Sequence, residues 1–210
     1  KSNYFGRLGY TYSDEDDGVG IDETLDALSD AVKAGKIRYI GVSNETPWGV
    51  MEYLKIANEN NQPRIVSIQN PYSLLNRIYE VGLAEMSHRE DVGLLAYSPL
   101  GFGMLTGKYE KSAPQNSRLG LYGDWFTRYS NDMCKKATSE YVKVAKKFNI
   151  SPTHLALAFV NTRAFLTSNI IGATTLEQLR ENIDSVNIKL SDEMMDEIEK
   201  IHELMPNPAP

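Results

Sequence analysis

Four short apolar runs most constrain what this chain can become: "IRYIGVSN" (37–44), "RIVSIQ" (64–69), "VGLLAYS" (92–98) and "SNIIG" (168–172). Each has the length and side-chain character of a buried strand, and stretches of helical periodicity flank and separate them. "IDETLDALSDAVKAGK" (21–36) puts Leu25, Leu28 and Val32 on one helical face, with acidic residues in its first turn and Gly35 as a stop. Thr46 can cap the next helix, with Pro47 at its first position, and Pro63 ends it. "NPYSLLNRIYEVGLAEMSHRED" (70–91) reads as a loop leading into a helix. Beyond the third run lies a polar segment containing Gly and Ser, about 101–128. Helices are then expected over 131–150 and, after a Ser151-Pro152 start, over 153–165. "TTLEQLRENIDSV" (174–186) and "SDEMMDEIEKIHEL" (191–204) supply two more, the second opening with Asp192 and Glu193 as a helix start favours.

Strands alternating with helices imply βαβ units and a parallel sheet, whose strands read as near-continuous apolar runs because helices cover them. Four strands fit either a small open sheet or half of an eight-stranded barrel, and periodicity does not choose between them. The chain's 210 residues suit one large domain or two small ones. A formal net charge of −6 argues against a broad nucleic-acid footprint, so no nucleic-acid partner is expected. The single cysteine, Cys134, excludes an internal disulfide framework and fits a reducing, cytoplasmic compartment. No apolar run reaches the length of a membrane span, and no signal peptide is visible. The chain opens on Lys1 instead of Met, so an earlier part of the protein is expected to be missing. The acidic stretch "YTYSDEDDGVG" (10–20) reads as a solvated loop.

In parallel α/β folds, ligands lie at the carboxyl ends of the strands. Those ends read Ser43-Asn44, Gln69-Asn70, Tyr97-Ser98 and Gly172-Ala173-Thr174. Hydroxyl and amide groups can orient a carboxamide, and an aromatic can stack on a flat heteroaromatic ring. Each pair alone would equally serve to begin a turn; four on one rim point to a ligand. In "LLAYSPLGFGMLTGKY" (94–109), Gly101 and Gly103 let backbone approach a ligand, and Lys108 supplies a charge for a phosphate. Arg118 adds a forked donor. Gly172 and Thr174 lie at an expected helix start that favours an anion, and Gln178, Glu181 and Asn182 share one helical face. No G-x-G-x-x-G or phosphate-loop pattern is present, and no metal site is expected.

Together, "GKIRYIGVSNET", "IQNPYSLLNR", "AYSPLGFGMLTGKY" and "IIGATTLEQLRENI" resemble the C-terminal half of an aldo-keto reductase. The likeness is greatest to the branch holding Tas-type reductases and the β-subunits of voltage-gated potassium channels. It runs from Tyr4-Phe5-Gly6 to the closing Pro-Ala-Pro. It implies a (β/α)8 TIM barrel, of which this chain supplies about the last four strand-helix units, with NADP(H) bound in an extended form. By this resemblance Ser43, Asn44 and Gln69 surround the nicotinamide carboxamide, and Tyr97 lies against the ring. Ser98, Pro99, Leu100, Gly101 and Gly103 follow the pyrophosphate. Lys108 and Arg118, with Thr174 assisting, approach the adenosine 2′-phosphate. Gly172, Gln178, Glu181 and Asn182 hold the adenosine end.

The family's proton-donating Tyr, with its Lys, His and Asp, belongs to the first four strands, so this chain is expected to carry no catalytic residue. His88, His154 and His202 all fall on helices and read as surface or packing residues. The missing N-terminal half of the same protein is thus an expected partner, with a small-molecule carbonyl compound as substrate. Standing alone, a half-barrel would leave two open edges and an apolar interior facing water. The implied activity is reduction of aldehydes or ketones to alcohols by the parent protein. The alternatives are an NADPH-sensing module with little turnover, as in channel subunits, and a small open phosphate-binding α/β domain. Tyr122, Trp125 and Phe126 could form a substrate wall or pack as loop anchors, and Cys134 reads as incidental.

Overall fold

The computed structural model describes residues 7–12, 18–110, 115, 117–122 and 127–210. Its centre is a parallel four-stranded sheet in the order β1 (Ile40–Ser43), β2 (Ile65–Pro71), β3 (Gly93–Tyr97) and β4 (Leu166–Asn169). Sequential order requires every connection to cross one face, and helices make those crossings: α1 (Ile21–Lys33) precedes β1, α2 (Pro47–Glu59) follows it, and α3 (Leu83–Glu90) leads into β3. Between β3 and β4 lie α4 (Arg118–Tyr122), α5 (Thr127–Ser130), α6 (Asp132–Lys147) and α7 (Pro152–Asn161). After β4 come α8 (Leu176–Asp184) and α9 (Asp192–Leu204).

The starts anticipated from sequence form: the Thr46 side chain accepts from Gly49 N and Ser151 from His154 N. Ser191 likewise accepts from Met194 N ahead of Asp192 and Glu193, so each satisfies a backbone donor of the first helical turn. Three expectations need correction. β4 ends at Asn169, so Ile170–Gly172 is irregular chain and not strand. The cap of α8 is Thr175, which places Gly172 and Thr174 ahead of the helix start. The polar 101–128 segment is not all loop, since it contains α4, the start of α5 and two short 3₁₀ turns over Gly101–Thr106.

The two faces of the sheet differ. Ile40, Ile68, Leu94 and Ala96 are buried beneath the helices. They join a core that includes Tyr72 stacked on Phe159 at 6.0 Å, with Phe165 meeting Tyr72 edge-on. The opposite face carries Gly41, Ser43, Ser67, Gln69, Gly93, Leu95, Tyr97 and Thr167, so small and polar residues share it with Leu95 and the Tyr97 ring. Among the exposed apolar side chains, Leu176, Leu179, Ile183 and Val186 form a row at helical spacing on α8 and just past it, while others stand elsewhere, such as Val66 in β2 and Trp48 in α2. No helix among the described residues is long and apolar enough to cross a membrane.

Candidate functional site

At the carboxyl rim of the sheet, β3 runs out into a backbone of unusual shape. Ser98, Gly101, Phe102 and Gly103 have φ of 54°, 53°, 59° and 93°. Such values fold the chain back on itself: Gly101 N bonds to Ser98 O (2.9 Å) and Gly103 N to Leu100 O (2.9 Å). This coil forms one wall of a cavity of about 730 Å³. The far wall is the β4–α8 connection with α8, and the N-terminus of α7 contributes Ser151, Pro152 and Thr153.

Of the sequence-predicted site residues, Tyr97, Ser98, Pro99, Leu100, Gly103, Lys108, Arg118, Gly172, Thr174, Gln178, Glu181 and Asn182 all line this cavity. Gly101 does not, because it faces inward against Leu75 and Tyr129. Ser43, Asn44 and Gln69 also lie outside the cavity wall, but they adjoin it through Tyr97. The Tyr97 hydroxyl donates to Asn44 Oδ1 (2.7 Å), Asn44 Nδ2 to Ser43 Oγ (3.2 Å), and Ser43 Oγ to the Gln69 carbonyl (3.0 Å). Asn44 has φ of 54°, which turns the chain at the strand end and which Asn tolerates better than most residues. Burial raises the Tyr97 phenol pKa; the neighbouring Arg128 cation, which also hydrogen-bonds to it, acts in the opposite direction.

The cations hold definite places. Lys108 folds back over the coil, and a Cβ on Gly103 would lie 2.9 Å from its Cε. Arg118 stacks on Phe102, its guanidinium carbon 5.1 Å from the ring centre, and reaches across to Gly172. On the far wall, buried Asn182 donates to the Gly172 carbonyl (3.1 Å), and Gln178 Oε1 accepts from both N and Oγ1 of Thr174. The Ser151 hydroxyl donates to Glu181 Oε1 at 2.6 Å, joining α7 to α8. Those side chains thus brace the backbone around the cavity as well as facing it.

Sequence reasoning missed Phe102, Thr106, Ser117, Ser151 and the Ile170–Ile171 pair as lining residues. Phe102 had a signal, since an aromatic between two glycines suggests a side chain set out from a tight coil. Ser151 was legible as a cap but not as a wall. In the expected aromatic wall, Tyr122 is exposed and away from the cavity, while Trp125 and Phe126 lie outside the described residues, as do Tyr4-Phe5-Gly6 and 13–17 of the acidic stretch. Cys134 is buried and its thiol is pushed up to about 11, chiefly by burial.

An aromatic strand end, a tight coil and two cations held against it suit a ligand with a flat ring and phosphates. Residues 5–203 match the aldo/keto reductase family. The chain is 52% identical to the protein tas of Escherichia coli K12 over 210 residues, covering all of this chain and 60% of that protein. It is 36% identical to an aldo-keto reductase of Babesia bovis, covering 90% of this chain and 69% of the relative. It is 31% identical to the L-glyceraldehyde 3-phosphate reductase of E. coli K12, covering 86% and 55%. The chain therefore spans 60% of the length of the tas protein it matches. The parallel β/α array is consistent with part of the (β/α)8 barrel that such a match implies. The chain belongs to the aldo/keto reductase family.

Proposed function

We propose that this chain is the cofactor-holding C-terminal half of an NADPH-dependent carbonyl reductase. The observation that carries the reading is what one cavity brings together: Tyr97, the coil that follows it, and Lys108 and Arg118 held against that coil. When bound, the nicotinamide supplies the hydride. The chain's own residues hold and orient. Tyr97 offers a flat face, and Ser43, Asn44 and Gln69 offer carboxamide partners beside it. Gly103, having no Cβ, leaves room for Lys108 to fold over the coil. Lys108 and Arg118 favour a 2′-phosphate over a bare hydroxyl, which gives a cation nothing to pair with. Substrates are small aldehydes or ketones.

In this reading the proton donor belongs to a preceding half of the same protein. None of the three histidines is at the rim: His88 is in α3, His154 in α7 and His202 in α9. The two edge strands, β1 and β4, and the apolar row on α8 are the surfaces that further β/α units would cover.

Fluorescence titration tests the cofactor. NADPH should bind the full-length protein at least about tenfold more tightly than NADH, and Lys108→Met with Arg118→Met should erase the difference. Equal affinities would refute the assignment. Carbonyl-dependent NADPH oxidation should require the longer protein, and turnover by the 210-residue chain alone would refute the division of labour.

A further inference from the structure

The hydrogen bonds at the rim have a direction set at both ends. Ser43 donates to the Gln69 carbonyl, an atom that only accepts. Asn44 Nδ2 donates to Ser43, and Tyr97 donates to Asn44 Oδ1. A hydroxyl that has given its one hydrogen can bond further only as an acceptor. Its other neighbour is Arg128, which hydrogen-bonds to it and has donors only. The relay therefore runs Arg128, Tyr97, Asn44, Ser43, Gln69, crossing three strand ends from a donor-only cation to a carbonyl.

Arg128 is held from behind. Its Nε donates to the Ala209 carbonyl (3.1 Å), and its guanidinium carbon lies 5.3 Å from the centre of the Tyr129 ring. The segment carrying Ala209 is tied down independently. Ala209 N donates to the Leu75 carbonyl (3.0 Å), and Asn131 Nδ2 and Cys134 Sγ donate to the Pro208 carbonyl at 2.9 and 3.0 Å. Asn207 Oδ1 accepts from Arg77 N at 2.6 Å. Ala209 itself is fully buried.

We propose that Arg128, braced by the Ala209 carbonyl, is a positioning residue that fixes the direction of the Tyr97 hydroxyl and, through it, of the Asn44 amide. Asn44 then presents one polarity to a ligand. Its Oδ1 is taken by Tyr97 and one Nδ2 hydrogen by Ser43, which leaves the second Nδ2 hydrogen to meet a carboxamide oxygen. Without Arg128, the Tyr97 hydroxyl is able to accept instead. The Ser43 hydroxyl can then turn to Asn44 Oδ1, because the Gln69 carbonyl keeps its bond from Asn44 N (3.0 Å). The amide can then reverse, and the pocket offers two polarities where it offered one. The inference rests on the reading that this rim faces a nicotinamide.

The test uses the full-length protein and two ligands, NADPH and 2′-phospho-ADP-ribose, which lacks the nicotinamide. Arg128→Met should weaken NADPH binding about tenfold and leave 2′-phospho-ADP-ribose within about twofold, with Arg128→Lys between wild type and Met. In a Tyr97→Phe background, Arg128→Met should cost no further NADPH affinity, because both changes cut the same link. Equal weakening of both ligands by Arg128→Met would mean a general structural role and would overturn the proposal, as would additive losses in the double variant. Wild type is read first. If it binds neither ligand, or binds both equally, the cofactor reading fails and the positioning role falls with it; if it prefers NADPH and only the variant results disagree, the positioning role alone falls.

Discussion

Gly103→Ala tests whether the coil after β3 is shaped around Lys108. Gly103 has φ of 93° and ψ of 2°, a conformation that costs an L-residue about 1–2 kcal/mol. At about 2–4 °C per kcal/mol for a chain of this size, the melting temperature should fall by about 2–8 °C. The new methyl would also stand 2.9 Å from Lys108 Cε and 3.0 Å from Nζ, inside ordinary contact, and 3.4 Å from the Tyr109 ring. The flexible ammonium end is what yields, so Lys108 swings off the coil. Lys108 is exposed, which limits its pairing with a phosphate to about 1 kcal/mol after screening, or about fivefold in affinity. NADPH binding should thus weaken about fivefold while NADH binding changes little. Fluorescence titration with both nucleotides reads the ratio, and thermal unfolding reads the strain. In a Lys108→Met background the melting shift should persist and the ratio should not move further. A lowered melting temperature with an unchanged NADPH-to-NADH ratio would refute the role given to Lys108, and an unchanged melting temperature would refute the strain argument.

Acid stability should depend on Glu80. Burial alone would raise its carboxyl, but Arg77, bonded through Nε and Nη2 at 2.8 Å each, outweighs burial and holds the pKa below the ordinary value. The stabilisation is therefore complete above the ordinary carboxylate range and is lost as pH falls through the lowered native pKa. Glu80→Gln should cost about 2 kcal/mol at neutral pH and flatten the acid limb, and an unaltered limb in urea unfolding across pH would contradict this. Cys134, with its thiol raised to about 11 and donating to the Pro208 carbonyl, should resist iodoacetamide at pH 8 until the protein is denatured. Alkylation of the native protein at the rate of a free thiol would count against that burial.

The fold was legible where side-chain spacing and caps agree. Thr46-Pro47, Ser151-Pro152 and Ser191 start their helices as written, because a hydroxyl cap acts within four residues and needs no tertiary partner. β4 was misplaced because "NIIG" is the more apolar stretch, yet the ladder is made by Leu166, Ser168 and Asn169. There, pairing with β3 overrides local propensity, as Leu94 N bonds to Phe165 O and Ile170 N to Ala96 O at the two limits of the strand. The small and polar positions of the uncovered face were hidden for a related reason: Gly41, Ser67 and Gly93 alternate with apolar neighbours, so each run reads as continuously apolar.

The grouping of the candidate residues around one cavity was legible, but not its wiring. Twelve of its members face one cavity, since strand ends and the coil after β3 are brought together by topology. Arg128 escaped notice because the role proposed for it depends on the Ala209 carbonyl, 81 positions along the chain, which no local spacing encodes. The backbone angles were equally hidden. Asn44 tolerates φ of 54° well, but Ser98 at 54° and Phe102 at 59° do not, and each carries a cost of order 1 kcal/mol. A glycine at either position would relieve it. What the two side chains do in return explains why they stand there: Ser98 and Phe102 both line the cavity, and Phe102 stacks between Tyr129, 5.1 Å away at 22°, and the Arg118 guanidinium. Replacing Phe102 with Gly would therefore ease the backbone and cost the cavity its seat for Arg118. Strain is tolerated in this coil because the same two residues shape the cavity wall.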